Sequence, residues 1–183
     1  MSKPIVVITD HGYPHVDMER QLVESAGAEL RVAQCATPLA VIAAAGDADV
    51  LLVQWAPIDA QVIASLERCR LIVRYGIGVD NVDLAAATGR GIPVCNVPDY
   101  GTEEVADHAV SMTLALARQL PMIDRLVRAG TWKITPPAPM PSFSEMTFAV
   151  AGFGRIARAV IERARALRFR IAAYDPLLPP ELA

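Results

Sequence analysis

Hydrophobic and polar positions alternate along the first half of the chain in two different rhythms. Residues 4–10, PIVVITD, form a short β-branched run that ends in polar turn residues, and Leu22, Val23 and Ala26 then follow at helical spacing before Gly27. The same alternation recurs, with strand patterns in AELRVAQ, ADVLLVQ, LIVRYG and IPVCNVP and helical patterns in PLAVIAAAG, DAQVIASLERC and DLAAATGRG. Short strands that alternate with helices predict an α/β fold with a parallel, doubly wound sheet.

The pattern changes after Pro98. Residues 102–120 predict one long helix, with Thr102 as N-cap and two glutamates at the positive end of the helix dipole. Apolar residues cover more than one side of this helix, which favours burial in an interdomain or dimer contact. Pro121 breaks the pattern, a shorter helix follows in MIDRLVRAG, and a proline-rich segment then predicts an extended connector. The prolines of this connector are Pro136, Pro137, Pro139 and Pro141.

Composition narrows the class of protein. Hydrophobic residues make up 53% of the 183 residues and the net charge is −3, which is typical of a soluble globular protein and not of a nucleic-acid-binding surface. No stretch reaches the roughly 18 apolar residues of a membrane span, and the amino-terminal apolar run is too short for a signal peptide. We therefore expect a cytoplasmic protein. His11 and His15 lie with two aspartates in the loop DHGYPHVD, which could suggest a metal site, but we interpret them as polar loop residues and expect no metal. Its cysteines, Cys35, Cys69 and Cys95, are expected to be small buried hydrophobes in a reducing compartment.

A glycine-rich turn follows the apolar strand pattern MTFAVAG. Residues 152–157, GFGRIA, have the form G-x-G-x-x-A, in which Gly152 makes a tight turn and Gly154 lets the backbone approach a pyrophosphate. The amino-terminal N–H groups of the following helix, which begins with Arg155 and Ile156, would face the phosphates. Asp175 ends the next strand, where an acid accepts hydrogen bonds from the adenosine ribose and repels a 2′-phosphate. This favours NAD over NADP; a ligand-free turn and a methyltransferase are the alternatives.

The segment 73–110, VRYGIGVDNVDLAAATGRGIPVCNVPDYGTEEVADHAV, resembles the D-isomer-specific 2-hydroxyacid dehydrogenases, a family that includes phosphoglycerate dehydrogenase and the C-terminal-binding proteins. The resemblance implies a flavodoxin-like parallel-sheet substrate domain in residues 1–98. The first part of a Rossmann NAD-binding domain would follow in residues 99–183, with a hinge near Pro98. It also implies an NAD-dependent oxidoreductase that acts on the CH–OH group of a D-2-hydroxy acid or on the matching 2-keto acid.

The resemblance assigns roles to residues outside the glycine turn. The loop Gly76-Ile77-Gly78 would place backbone amides near the substrate carboxylate, and Ile77 and Val105 would lie near the nicotinamide. Gln54 and Trp55 would face the same substrate. In the phosphoglycerate-oxidising branch, the Gln54 position resembles an arginine site for phosphate. Because glutamine cannot pair with phosphate in a bidentate manner, phosphoglycerate is disfavoured.

The chain departs from the family pattern after Asp175. By resemblance, an arginine holds the carboxylate and a histidine paired with an acid moves the proton, and all three follow the ribose acid. Residues 176–183, PLLPPELA, contain neither arginine nor histidine, and His11, His15 and His108 all precede the glycine turn. We therefore predict no catalytic residue in this chain, which would be an inactive amino-terminal portion of a dehydrogenase. The alternative is a non-catalytic NAD-binding or dimerisation module of corepressor type, a homodimer through the helix at 102–120.

Overall fold

The computed structural model describes residues 3–132 and 138–178, and the chain divides into two compact units, Met1–Tyr100 and Gly101–Ala183. We call them unit 1 and unit 2. The sequence interpretation placed the boundary at Pro98. Pro136 and Pro137 of the predicted connector lie outside the described residues.

Unit 1 is a five-stranded parallel sheet in the order β2-β1-β3-β4-β5. This is the flavodoxin-like order, so the predicted α/β class with a doubly wound sheet is confirmed. The strands are β1 (Ile5–Ile8), β2 (Glu29–Val32), β3 (Val50–Val53), β4 (Leu71–Arg74) and β5 (Val94–Cys95). The helices between them are α1 (Asp17–Ser25), α2 (Pro38–Ala45), α3 (Ala60–Ser65) and α4 (Leu84–Gly89).

Three of these helices begin where the sequence supplies an oxygen for their free amides. The side chain of Thr37 accepts a hydrogen bond from the Ala40 amide, which starts α2. Asp59 and Asp83 accept from amides three residues later, both at 2.9 Å, and thereby start α3 and α4. A short polar side chain at the N-cap accepts a hydrogen bond from an amide of the first turn that has no partner within the helix, and it thereby favours the start of the helix at that residue.

The core of unit 1 lies along the central strands β1 and β3. Five of the eight residues of these two strands are buried and the other three are half-buried, as expected of strands with both faces covered. Fully or almost fully buried members include Val7, Val41, Leu51, Val53, Ile58, Val62, Ile63 and Ile72. Burial of each such side chain stabilises the fold by about 1.5–3 kcal/mol.

A carboxylate secures the amino end of β1. Asp49 accepts a hydrogen bond from the Ile5 amide at 2.8 Å and pairs with Arg68 at 2.8 Å. The bond from the Ile5 amide, followed by the charge of Arg68, lowers the pKa of Asp49.

Unit 2 contains one parallel strand pair flanked by helices. Its elements are α5 (Thr102–Ala117), α6 (Leu120–Arg128), β6 (Thr147–Ala151), α7 (Arg155–Ala166) and β7 (Arg170–Tyr174). Strands β6 and β7 pair in register from Thr147–Arg170 to Ala151–Tyr174. Its main core cluster has only four buried members, Ala106, Val110, Ala159 and Val160.

Helix α7 is tied to α5 by one arginine as well as by this core. Arg163 donates to Asp107 at 2.5 Å and to Glu103 at 2.6 Å, one turn apart on α5. These two carboxylates raise the pKa of the Arg163 guanidinium, with Glu103 contributing most.

The long helix predicted for residues 102–120 is shorter in the structure. It ends at Ala117, Gln119 adopts a left-handed φ of 53°, and α6 begins at Leu120. A continued helix would bring the Pro121 ring against the carbonyl of Ala117, so the break falls one turn before the proline. The N-cap is Gly101 rather than Thr102, whose buried hydroxyl has no hydrogen-bond partner among the described residues.

Candidate functional site

The predicted substrate residues of unit 1 lie at the carboxyl ends of its strands. The strand order reverses between β1 and β3, and the connections diverge there to leave a crevice outside the carboxyl ends of the strands. Gln54 and Trp55 follow β3 directly, and the loop Gly76-Ile77-Gly78 begins two residues after β4. Elements distant in sequence therefore bring these residues together at the place where doubly wound sheets bind ligands.

A cavity of about 160 Å³ opens at this edge. Its lining contains three of the predicted substrate residues, Gln54, Trp55 and Gly78. The remaining lining residues are Arg74, Asp80 and Asn81. Asn81 also secures the wall of the cavity, because its side-chain amide donates to the carbonyl of Ala56 at 2.9 Å. We call this space the substrate cavity.

The glycine-containing loop beside the substrate cavity is held through its carbonyl groups. Asn96 donates from its side chain to the carbonyl of Ile77 at 2.8 Å, and the Val97 amide donates to the carbonyl of Gly76 at 3.1 Å. The Gly76 amide donates to the carbonyl of Arg74 at 2.8 Å, so it is engaged within the chain. The amides of Ile77 and Gly78 have no acceptor in the part of the chain that the structure describes, and they remain available to an anion.

Arg74 is a candidate binding residue that the sequence interpretation missed. Its Nε atom is buried and has no hydrogen-bond partner within the described ranges, which is costly for a charged group. Its guanidinium lies directly against Gly76, where a Cβ atom would overlap it. The signal in the sequence is one arginine that ends the apolar strand LIVR immediately before the loop. A cation in this position can bind a carboxylate.

Gln54 and Trp55 are both fixed against the loop that follows β1. The Gly12 amide donates to Oε1 of Gln54 at 2.7 Å. The indole of Trp55 lies over Gly12 so closely that a Cβ atom there would come within 2.5 Å of the ring, yet 62% of Trp55 is exposed. Trp55 thus presents an open aromatic face beside the substrate cavity.

The predicted dinucleotide turn of unit 2 joins β6 to α7. Gly152 has a φ of 99°, a conformation that L side chains rarely adopt, and its amide donates to the carbonyl of Tyr174 at 2.6 Å. Gly154 is the N-cap of α7, and Arg155 and Ile156 form its first turn. Ile156 packs partly buried against the core of unit 2. The chain thus passes through a positive φ at Gly152 and enters the helix directly after Gly154.

Asp175 connects the end of β7 to the same turn. Its carboxylate accepts hydrogen bonds from the amides of Leu177 at 2.8 Å and Phe153 at 2.7 Å. Both bonds favour the charged form, and they lower the pKa of Asp175, with the Leu177 amide contributing most. The carboxylate is consequently ionised at neutral pH and lies beside the glycine turn.

The two residues predicted to lie near a nicotinamide belong to different units. Ile77 is in the loop after β4 of unit 1, and Val105 is on α5 of unit 2, where 47% of it is exposed.

The three cysteines do not line the substrate cavity. Cys35 and Cys69 are buried, and burial raises the pKa of both thiols. Cys95 is exposed, so the expectation that it is buried was wrong, because β5 is only two residues long and lies at the edge of the sheet. In residues 3–132 and 138–178, no three metal-ligating side chains cluster, and no helix is long and apolar enough to cross a bilayer.

Similar proteins of known fold share this architecture. D-lactate dehydrogenase from Aquifex aeolicus, solved with NAD and lactic acid, superposes with a TM-score of 0.85 at 22% identity, over 97% of this chain and 53% of that one. The TT0316 protein from Thermus thermophilus superposes with a TM-score of 0.79 at 29% identity, over 96% of this chain and 57% of that one.

Sequence comparison points to the same group of proteins. D-3-phosphoglycerate dehydrogenase of Mycobacterium tuberculosis is 36% identical over 186 aligned residues, covering 100% of this chain and 34% of that protein. A glyoxylate reductase of Korarchaeum cryptofilum is 40% identical over 124 residues, covering 66% of this chain and 37% of that protein. The chain thus spans about a third of the length of the curated relatives it matches. Residues 6–172 match the catalytic-domain model of the D-isomer specific 2-hydroxyacid dehydrogenases, and the chain belongs to that family.

Proposed function

We propose that this chain supplies the substrate-binding and dinucleotide-binding elements of an NAD-dependent oxidoreductase that acts on a D-2-hydroxy acid or the matching 2-keto acid. The observation that carries the proposal is the bond between Asp175 and the glycine turn, which sets an ionised carboxylate beside a phosphate-type loop. The similar D-lactate dehydrogenase holds NAD and lactic acid, which supports both ligand classes.

The dinucleotide would be bound mainly by unit 2. The backbone of Gly152 and Gly154 would leave room for the pyrophosphate, which would face the first turn of α7 at Arg155 and Ile156. Asp175 would accept from the adenosine ribose hydroxyls. When bound, the cofactor accepts or supplies the hydride at its nicotinamide, and Ile77 and Val105 are proposed to contact that ring.

The charge of Asp175 favours NAD over NADP. Its carboxylate is held ionised by two backbone amides, and a 2′-phosphate at the ribose would bring a second negative charge beside it. The two negative charges would repel each other, and the backbone hydrogen bonds prevent the carboxylate from turning away.

The substrate carboxylate would be bound by Arg74 and by the free amides of Ile77 and Gly78. Gln54 and Trp55 would contact the rest of the substrate, and Gly76, which has no side chain, would leave room for the guanidinium of Arg74. Arg74 is the cation among the residues that line the substrate cavity, and a carboxylate, Asp80, lines it as well. This balance fits a monoanionic 2-keto or 2-hydroxy acid and disfavours a phosphorylated one.

None of the three histidines of the chain is among the residues that line the substrate cavity. His11 bonds through Nδ1 to the carbonyl of Tyr13 at 2.9 Å, and His15 lies 3.4 Å from Asp17 with both side chains largely exposed. His108 is exposed on α5. We therefore propose that residues 1–183 bind substrate and cofactor but do not turn over alone.

The test is a fluorescence titration of the 183-residue chain with NADH and NADPH. Wild type is expected to bind NADH more tightly, and Asp175→Asn, which removes the charge, is expected to shrink that preference. Asp124→Asn on α6, whose carboxylate pairs with Arg128, is the matched control and should change nothing. A preference for NADPH, or no binding of either, would contradict the proposal. Oxidation of NADH with glyoxylate or pyruvate by the chain alone would contradict the proposal that residues 1–183 are inactive on their own.

A second candidate function is a non-catalytic NAD-binding or dimerisation module of corepressor type. Helix α5 supports it, because Met112 and Leu116 are 52% and 73% exposed beside Val105. A homodimer through residues 102–120 would bury these side chains. Sedimentation of wild type and Leu116→Glu tests this, with Leu39→Glu as control, because Leu39 on α2 is similarly exposed, at 68%. A wild-type monomer would eliminate the homodimer.

A further inference from the structure

The carboxylate of Asp10 is buried at the end of β1, where 5% of the residue is exposed. Its Oδ1 atom accepts hydrogen bonds from the Gln54 amide at 3.1 Å and from the Thr9 hydroxyl at 2.9 Å. Its Oδ2 atom accepts from the Trp55 amide at 2.6 Å. A charged acceptor gives such bonds roughly twice the strength of neutral ones, so Asp10 fixes the backbone at which β3 passes into the substrate cavity.

The loop that follows Asp10 holds the same wall from the other side. The Gly12 amide donates to Oε1 of Gln54 at 2.7 Å. Gln34, after β2, exchanges two hydrogen bonds with the backbone of His11, at 3.3 and 3.0 Å. Gln54 is therefore held both through its backbone, by Asp10, and through its side chain, by the loop behind Asp10.

This arrangement decides which end of the Gln54 amide a ligand meets. Since Oε1 accepts the Gly12 N–H, the side-chain nitrogen is the group left over, and it has no acceptor within the described chain. A nitrogen donor in the wall of the substrate cavity suits an oxygen acceptor, such as the keto, hydroxyl or carboxylate oxygen of a 2-oxo or 2-hydroxy acid.

We infer that Asp10 is a positioning residue of the substrate cavity, which acts through Gln54 and Trp55. It does not line that cavity but a neighbouring one of about 310 Å³, whose wall it shares with Trp55. Its effect on a ligand is thus transmitted by the two backbone amides it accepts. The inference rests on the proposed substrate site.

The experiment measures oxamate binding, since oxamate carries the carboxylate and adjacent carbonyl of a 2-keto acid and does not react. Trp55 reports binding by fluorescence in a Trp132→Phe background, which removes the second tryptophan. Asp10→Asn is compared with Asp49→Asn, which removes another carboxylate that accepts a backbone amide, at the opposite end of β1. Amide exchange of Gln54 and Trp55, followed by NMR, gives a readout that needs no ligand.

We expect Asp10→Asn to weaken oxamate binding by about tenfold and to speed exchange of both amides, because an asparagine NH₂ cannot accept the Trp55 N–H. Asp49→Asn should keep wild-type affinity. If Asp10→Asn does not fold, Thr9→Val keeps the charge but removes the hydroxyl that orients it, with an expected loss of about threefold.

The outcomes distinguish the positioning role of Asp10 from the proposed substrate site. Wild-type affinity in a folded Asp10→Asn, or an equal loss in Asp49→Asn, would overturn the positioning role and leave the substrate site in place. A wild-type chain that does not bind oxamate would overturn both, and faster amide exchange in Asp10→Asn would then show a structural role alone.

Discussion

Replacing Gly76 by alanine would move the guanidinium of Arg74 without changing any charge in the chain. The added Cβ would overlap Nη1 of Arg74 and lie 2.5 Å from its Cζ. Carbon atoms in ordinary contact are about 3.5–4.0 Å apart, so the guanidinium has to retreat by at least about 1 Å. Because the group that moves is the far end of a flexible side chain, the fold should tolerate the change.

The cost in affinity follows from the bonds that this retreat breaks. A hydrogen bond to a charged group contributes about 1.5–3 kcal/mol, so its loss raises the dissociation constant about 10- to 150-fold. We expect Gly76→Ala to fall in the lower part of this range, because a displaced arginine still contributes its charge. Arg74→Met, which removes the charge as well, should fall in the upper part.

Oxamate titration followed by the fluorescence of Trp55 measures both variants in the Trp132→Phe background. The matched control is Gly89→Ala, a glycine whose added Cβ meets no atom within 4 Å. Circular dichroism checks that all three variants are folded. If Gly76→Ala binds oxamate as tightly as the control while Arg74→Met does not, the guanidinium does not depend on its place over Gly76, and the geometry argued above is wrong.

Three further predictions concern the stability and reactivity of the chain. Arg163→Met should lower the thermal midpoint of unit 2 more than Arg128→Met, whose partner is on its own exposed helix face, as followed by circular dichroism. The pKa of Asp49 is lowered in the folded state, so its stabilising contribution is fully present above pH 3.8 and is lost as the pH falls through the folded pKa. Denaturant titrations should therefore show that the difference in unfolding free energy between wild type and Asp49→Asn shrinks over that acid range. Iodoacetamide should label Cys95 first, and mass spectrometry should find the two buried thiols labelled only after unfolding. Early labelling of a buried thiol would contradict this burial.

The local features of the fold could be predicted from the sequence because they depend on short-range patterns. The β-branched runs and the helical spacing between them predicted every strand of unit 1, and the apolar patterns on both sides of the glycine turn predicted the strand–turn–helix–strand of unit 2. The end of α5 was missed because the clash of the Pro121 ring acts four residues upstream of the proline. Thr102 was a plausible cap by residue type, yet the chain enters the helix one residue earlier.

The candidate site was predictable in part, for the same reason. Gln54, Trp55 and the loop at 76–78 were identified through a resemblance, and the structure places them at one sheet edge. What holds them there could not be predicted, because the bonds of Asp10 reach residues 44 and 45 positions away. Arg74 was read as a strand residue, although a charge at the end of an apolar strand is a signal that could have been used.

The unequal cores of the two units have a consequence for cooperativity. Unit 1 is built around a large cluster of buried side chains, whereas the main cluster of unit 2 has four. Regions with few buried apolar contacts open at lower free energy, so heating should melt the chain in two steps, with unit 2 first. A ligand that binds only the folded form of unit 2 raises the lower step alone. Saturating NADH should therefore draw the two transitions together, and the melting curve itself would then report which half of the chain holds the dinucleotide.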